Sequence, residues 1–351
     1  MVMMSDSRWM AAISGAVLAG LITVAAAYQA QPQRPADNQA IRVEVEMVSL
    51  PVVVTTPEGE RVMDLRKEDF LVYEDGVLQE IVGFSPTEEP VTIALMMDAS
   101  GSTETQLPRI QNEAIRFVNL LHPDDSVAIL SFAEDVNLLE DFSIDRDRNA
   151  YGIKETRPGG WTVLYEAVWL GLEEVLKPVQ ERKALVLFTD GVDTASRKAS
   201  RKETIELAKE TAATTYAIYF NTEMDRRRGI GAGPTAGGYP IPGGPPIVVS
   251  PMPPAGRGTS MEEYAAGRAY LHELAEYSGG KVFDALAMQD LGPAFEGIAR
   301  ELASQYSVGY YSNNTKRDGK YRKVQVKLKK PGLVARTKKG YYGPKPEKKS
   351  R

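Results

Sequence analysis

An apolar segment that ends in one acidic residue and two hydroxyl residues is the part of the sequence best suited to chemistry. The run from Ala94 to Met97 is followed by Asp98, Ser100 and Ser102 at alternate positions. In a parallel α/β sheet, the loops at the carboxyl ends of the strands form the ligand crevice. Oxygen donors that carry little charge suit a hard divalent cation such as Mg²⁺, which keeps several of its waters. We therefore predict a divalent-cation site on this loop, with an open position for a partner's carboxylate.

Two other loops carry residues that could join the same site. The apolar run 184–189 ends in Asp190, and Thr162 follows shortly after a glycine turn at 159–160, where a predicted helix begins. Three loops could therefore converge at one edge of the sheet. Asp193 is also acidic, and the sequence is equally consistent with two roles for it. It could support the cation site from behind the direct ligands, or it could cap the next helix.

The amino-acid composition argues against most enzyme chemistry. The 351-residue chain has no Cys and only two His, His122 and His272, which removes thiolate catalysis, Cys-zinc sites and iron–sulfur clusters. The sequence contains no G-x-S-x-G, Walker A or H-E-x-x-H motif. A hydrolase that uses Ser100 as its nucleophile is a remote alternative, with His272 as the one available base. We expect a protein that is not an enzyme.

Strands and helices alternate through the middle of the chain, as in a parallel sheet covered by helices on both faces. Strands are predicted at 92–97, 126–132, 184–189, 215–220 and 281–283, and helices at 106–121, 162–176, 201–213, 261–278 and 291–304. The predicted fold class is therefore α/β, with a parallel-type central sheet.

A small β domain is predicted from both ends of the mature chain. Apolar alternation and turns in 41–84 indicate antiparallel strands, and 306–311 and 321–328 indicate two more that join them, which makes this β domain discontinuous. The predicted domains are a signal peptide or membrane anchor at 1–30, a linker at 31–40, the β module at 41–90, the α/β domain at 91–304 with a Gly/Pro-rich insertion at 228–259, C-terminal strands at 305–344 and a basic disordered tail at 345–351.

The start of the chain indicates export. The apolar run from Met10 to Ala27 ends in small residues, and Ala25 and Ala27 fit an A-x-A cleavage site. We expect a secreted or periplasmic protein. A retained inner-membrane anchor that leaves the rest facing the periplasm is the alternative, because this run would also just span a bilayer. No other membrane embedding is expected.

Positive charge is concentrated at the C-terminal end. Residues 316–351 contain 15 Lys or Arg against 2 Asp or Glu, a balance of +13. Because the whole chain has a net charge of −5, residues 1–315 carry a net charge of −18. The lysines in 321–330 alternate with Val324, Val326 and Leu328, which is typical of the solvent face of a strand. A basic end of this kind could also bind nucleic acid, anionic lipid or an acidic partner, but we favour the solvent-face interpretation and expect no nucleic-acid partner.

The three loops together resemble the metal-ion-dependent adhesion site of von Willebrand factor A domains. The resemblance lies in Asp98-x-Ser100-x-Ser102, in Thr162 followed by the segment 164–167, and in Asp190 before a glycine, and it covers about residues 91–304. It implies a Rossmann-like sheet with six strands. The flanking segments 64–76 and 305–342 are similar to exported bacterial proteins of the von Willebrand factor A-related type, abundant in acidobacteria.

The resemblance also implies roles for the site residues. Ser100 and Ser102 would bind the metal directly, Thr162 would do so in some states, and Asp98 and Asp190 would act largely through waters. The implied cofactor is Mg²⁺, or Mn²⁺ or Ca²⁺, and the implied partner is a protein that presents an acidic residue. The alternative is a structural or assembly scaffold of the cell envelope, which contacts its partners through the β domain or the basic tail.

One residue departs from the family pattern. Trp161 stands between Gly160 and Thr162, where the family usually has Thr directly after the glycines. The segment 164–167 keeps its register, so Thr162 remains the candidate ligand.

Overall fold

The computed structural model describes residues 47–86, 89–220 and 260–346. The predicted signal peptide or anchor, the linker, the insertion at 228–259 and most of the basic tail lie outside these residues. Within the described ranges, no helix is both long and apolar enough to cross a membrane.

The described chain alternates between strands and helices as follows. The strands are β1 (Met47–Thr55), β2 (Phe70–Glu74), β3 (Val77–Gln79), β4 (Ile81–Ser85), β5 (Thr92–Asp98), β6 (Ser126–Phe132), β7 (Val136–Ser143), β8 (Lys183–Thr189), β9 (Thr214–Phe220), β10 (Val282–Ala285), β11 (Gln305–Tyr311), β12 (Tyr321–Leu328), β13 (Val334–Arg336) and β14 (Gly340–Tyr342). The helices are α1 (Leu107–Leu120), α2 (Arg146–Lys154), α3 (Leu164–Leu170), α4 (Arg201–Glu210), α5 (Met261–Ser278) and α6 (Leu291–Leu302). A π-helical segment, Gly171–Leu176, continues α3.

The α/β part is built on a six-stranded sheet in the order β10-β9-β8-β5-β6-β7. Its strands are parallel except for β7, which pairs antiparallel with β6 at the edge. Six consecutive residues of β5, from Ile93 to Asp98, are buried. Burial on both faces explains why this strand is an unbroken apolar run and does not alternate with polar residues.

Helices cover both faces of this sheet. On one face α1 presents Ile110, Ala114 and Phe117 at helical spacing, and the rings of Phe117 and Phe295 on α6 lie 5.3 Å apart. On the other face α3, α4 and α5 pack together, with Tyr165 edge-on to Tyr270. The carboxyl ends of β5 and β8, which are parallel neighbours, therefore lie at one edge of a three-layer structure.

Two four-stranded antiparallel sheets form the β domain, in the orders β13-β1-β11-β4 and β14-β12-β2-β3. Strand β1 pairs with β11, and β2 pairs with β12, so strands from before and after the α/β part share each sheet. Phe70, Phe84 and Tyr306 form an aromatic cluster in the core between them. The predicted fold class, including the discontinuous β domain, is confirmed.

A buried ion pair links β2 and β12, two neighbouring strands in the second sheet of the β domain. Glu74 and Arg322 are each 2% exposed and lie 3.5 Å apart. The Glu74 carboxylate also accepts hydrogen bonds from the hydroxyls of Tyr310 (2.9 Å), Tyr341 (2.7 Å) and Ser312 (2.6 Å). These bonds compensate the cost of burying the two charges.

Candidate functional site

Strand β5 delivers Asp98 to the carboxyl edge of the central sheet. Its side chain is completely buried. One carboxylate oxygen accepts the backbone N–H of Ser100 at 3.0 Å, and the other accepts the hydroxyl of Thr189 on β8 at 2.7 Å. Burial raises the pKa of Asp98, and these hydrogen bonds act against that rise. Asp98 therefore fixes the turn after β5 and links it to the neighbouring strand.

A continuous series of oxygen atoms runs from this turn to the loop after β8. The hydroxyls of Ser100 and Ser102 lie 3.1 Å apart, and the Ser102 hydroxyl donates to Oδ2 of Asp190 at 3.2 Å. Oδ1 of Asp190 accepts the N–H of Val192 at 3.1 Å, which sets the direction of this carboxylate. Four of the five predicted site residues are therefore joined by side-chain or turn hydrogen bonds.

The fifth predicted residue, Thr162, is held beside the same loops by its backbone. Its N–H donates to the hydroxyl of Thr194 at 2.8 Å, and its carbonyl oxygen accepts the N–H groups of Thr194 and Ala195. At the start of the loop, the N–H of Gly159 donates to the carbonyl oxygen of Ala99 at 2.7 Å. The structure thus brings all three loops to one edge of the sheet.

Asp193 supports a neighbouring helix. Its Oδ1 accepts the N–H of Tyr165, in the first turn of α3, at 3.1 Å, and it also accepts the hydroxyl of Ser196. Burial raises the pKa of Asp193. These contacts favour the interpretation of Asp193 as a helix cap, although the helix is α3, which precedes it in the chain.

Close backbone contact fixes the position of the loop that carries Asp190. Gly191 has a φ of +80°, and a Cβ on it would lie 2.7 Å from the carbonyl carbon of Gly267 on α5. Glycine is required on both counts, because other residues rarely adopt this φ and a side chain would not fit. The sequence signals a turn at Gly191 but gives no sign of its contact with α5.

Sequence reasoning missed Glu134, which follows β6. Its Oε1 accepts the N–H groups of Gly160 and of Trp161, the latter at 3.3 Å. No local pattern marks Glu134, because the contact joins residues 26 positions apart. Thr189 belongs to the motif that ends in Asp190 and Gly191, but the sequence gives no sign of its hydrogen bond to Asp98.

The two histidines lie outside this site. His122 pairs with Asp124 at 3.7 Å and is largely exposed, and His272 is exposed on α5. The hydroxyl of Ser100 contacts that of Ser102 instead of a base. Within 47–86, 89–220 and 260–346, no group of three or more His, Cys, Asp and Glu could hold a metal ion. A cation at this site would therefore depend on hydroxyl donors.

The domain has a Rossmann-like fold with a mostly parallel sheet. Polar side chains gather at the carboxyl ends of its central strands, where Asp98 and the two neighbouring loops lie. Residues 93–192 match the family described as von Willebrand factor type A domain. The chain therefore contains a von Willebrand factor type A domain. No curated protein matches the chain.

Several solved structures are similar in fold. BatB from Bacteroides thetaiotaomicron is 17% identical and aligns over 61% of this chain and 97% of its own, with a TM-score of 0.41. The von Willebrand factor domain of the type V pili tip protein Mfa5 from Porphyromonas gingivalis is 12% identical over 61% and 95%, with a TM-score of 0.44. A von Willebrand factor type A protein from Catenulispora acidiphila is 10% identical over 87% and 76%, with a TM-score of 0.45. At these TM-scores the likenesses carry no information about function.

Proposed function

We propose that this protein is an exported interaction module that binds a divalent cation, Mg²⁺ in the first place, and uses it to capture an acidic residue of a protein partner. The observation that carries the proposal is the series of oxygen atoms from Ser100 through Ser102 to Asp190, with Asp98 buried behind it. Mg²⁺ and Mn²⁺ prefer oxygen donors such as hydroxyls and carboxylates to softer donors such as sulfur.

The donor set fits a cation that keeps part of its charge. Ser100, Ser102 and Thr162 are neutral, and Asp98 and Asp190 supply two negative charges at most. Because Asp98 and Asp190 would act largely through waters, a bound divalent cation would have mainly neutral direct ligands and would retain its attraction for a further anion. Asp98 would contribute from behind while it continues to hold the turn through the N–H of Ser100.

Two residues beside the buried donors are accessible to a partner. Gly101, between the two serines, is exposed, and Trp161 is half-buried on the adjacent loop. Thr103 is buried, and its hydroxyl donates to the carbonyl oxygens of Asp98 and Ser100, so it supports the turn from inside. A partner's carboxylate would reach the cation past Gly101 and Trp161.

Cation binding is tested by isothermal titration calorimetry of the chain from Gln31 onward with Mg²⁺ and with Mn²⁺. We expect one saturable site in the wild type and its loss in Asp190→Asn. The matched control is Asp193→Asn, which makes the same charge change three residues away in a side chain that caps α3. Equal loss in both variants, or no binding in the wild type, would contradict the proposal.

The open position is tested by water-proton relaxation with Mn²⁺ bound. A site that retains exchangeable water should enhance relaxation, and a peptide rich in glutamate should lower the enhancement while its amidated glutamine analogue should not. If the glutamate peptide has no effect on bound Mn²⁺, carboxylate capture is wrong even though the cation binds. The protein would then be better described as a scaffold that contacts partners elsewhere, and in neither case do we expect catalysis.

Export is proposed from the sequence between Met10 and Ala27 alone. Expression with this segment intact in a bacterial host should give a periplasmic or secreted protein. N-terminal sequencing then distinguishes cleavage after Ala27 from a retained anchor. A protein that stays in the cytoplasm would contradict this part of the proposal.

A further inference from the structure

The middle of one site loop is held by a single side chain from outside the three predicted site segments. We call residues 159–162, which end in the candidate ligand, the glycine loop. Oε1 of Glu134, in the connection between β6 and β7, accepts the backbone N–H groups of Gly160 and Trp161. Hydrogen bonds to a carboxylate are stronger than bonds between neutral groups. Glu134 therefore holds two consecutive peptide units of the loop.

Other contacts hold the rest of the glycine loop, and Thr162 itself is held through its N–H and carbonyl oxygen by Thr194 and Ala195. The first N–H of the loop, on Gly159, donates to the carbonyl oxygen of Ala99. Directly after the loop, the N–H of Val163 donates to the carbonyl oxygen of Ala133 at 2.9 Å. The loop is fixed at both ends, so the conformation of its middle depends on what holds Gly160 and Trp161.

The packing around Gly159 shows that this arrangement is tight. A Cβ on Gly159 would lie 2.5 Å from the Cβ of Ala133 and would collide with the carboxylate of Glu134. The glycine allows the carboxylate to approach the loop backbone, and it also leaves that backbone free to move if the carboxylate is removed.

We propose that Glu134 is a positioning residue for the cation site, which holds the glycine loop so that Thr162 can reach the cation. The inference rests on the proposed function. Glu134 accepts the N–H of Trp161, the residue at which the sequence departs from the family pattern, together with that of Gly160, on the path of the chain into Thr162.

The test compares the Mn²⁺ affinity of variants by electron paramagnetic resonance. Glu134→Ala should weaken Mn²⁺ binding about tenfold, the lower end of what loss of a residue supporting a metal ligand costs. Glu134→Gln should stay within about twofold of the wild type, because its amide oxygen can accept from the same two N–H groups. Asp135→Ala is the matched control, since it removes an exposed acid from the next position without touching the loop.

A double mutant separates positioning from charge. If Glu134 acts through Thr162, then Thr162→Ala alone weakens Mn²⁺ binding. Adding Glu134→Ala should weaken it no further, because the side chain that Glu134 positions is already gone and the two effects are therefore not additive. Fully additive losses, a Glu134→Gln variant as weak as Glu134→Ala, or an unchanged affinity in Glu134→Ala would each overturn the inference.

A measurement without metal keeps the inference distinct from the proposed function. Amide hydrogen exchange at Gly160 and Trp161 should be faster in Glu134→Ala than in the wild type, and close to wild type in Glu134→Gln. Unchanged exchange in Glu134→Ala would show that the carboxylate does not hold the loop. If the wild type binds no Mn²⁺, the proposed function and the role of Glu134 in it are overturned, whatever the exchange rates show about the loop itself.

Discussion

Replacing Gly267 by Ala should destabilise this protein, although the same change in an ordinary helix is stabilising. Gly267 lies in the interior of α5, where Ala is preferred over Gly by about 1 kcal/mol. Here, however, α5 touches the loop after β8 backbone to backbone. A Cβ on Gly267 would lie 2.6 Å from the carbonyl carbon of Gly191, a distance at which one of the two segments must move.

The magnitude follows from what the new methyl group meets. Overpacking a core costs about 1–3 kcal/mol, and the upper end applies because the obstacle is backbone and cannot rotate away. Subtracting the helix preference of about 1 kcal/mol leaves a net loss of about 2 kcal/mol in the free energy of unfolding. Because Gly191 directly follows Asp190, we also expect weaker Mn²⁺ binding.

The assay is urea unfolding followed by circular dichroism. Ala266→Gly, at the exposed neighbouring position of α5, is the control and should lose about 1 kcal/mol from helix preference alone. A Gly267→Ala variant as stable as the wild type, or more stable, would refute the argument that α5 and the site loop are in contact.

Three further predictions follow from the buried polar groups and the caps. Arg322→Ala should cost about 3–5 kcal/mol in unfolding free energy, because it leaves the Glu74 carboxylate buried without its cation; a loss below about 1 kcal/mol in urea unfolding would contradict this. Burial raises the pKa of Tyr216 and of Tyr270, so the folded chain keeps phenolic protons that the unfolded chain loses above about pH 10, and stability should fall as the pH rises beyond that point. Absorbance at 295 nm should therefore show these tyrosines ionising together with unfolding, and ionisation well before unfolding would be evidence against their burial. Ser200→Ala should lose about 1 kcal/mol, because the Ser200 hydroxyl caps α4, and thermal unfolding by circular dichroism would show no change if the cap were unimportant.

Buried parallel strands were the easiest part of the fold to predict from the sequence. The apolar run that ends in Asp98 and the run that ends in Asp190 both form central strands, since only such strands are buried on two faces. Strand β7 was missed because it lies at the sheet edge with most of its residues at least partly exposed. Helix α2 was missed for a similar reason, because it is short, mostly polar and contains Gly152, although Asp145 caps it.

The grouping of the three site loops could be predicted, whereas the contacts that hold them could not. Each loop carries its own short signal, and strand ends in a parallel sheet share an edge. Glu134 and Gly267 carry no such signal, because their contacts join segments far apart in the chain. Their importance follows from packing, which periodicity and spacing do not encode.

The most direct test of the cation site is a crystal structure of the chain grown with Mn²⁺, with diffraction recorded at the manganese absorption edge. We predict one anomalous peak per chain, from a manganese ion coordinated by the hydroxyls of Ser100 and Ser102 and close to Asp190, with a water or a carboxylate in the remaining open position. A map with no peak there, or with manganese bound only at other surface carboxylates, would contradict it.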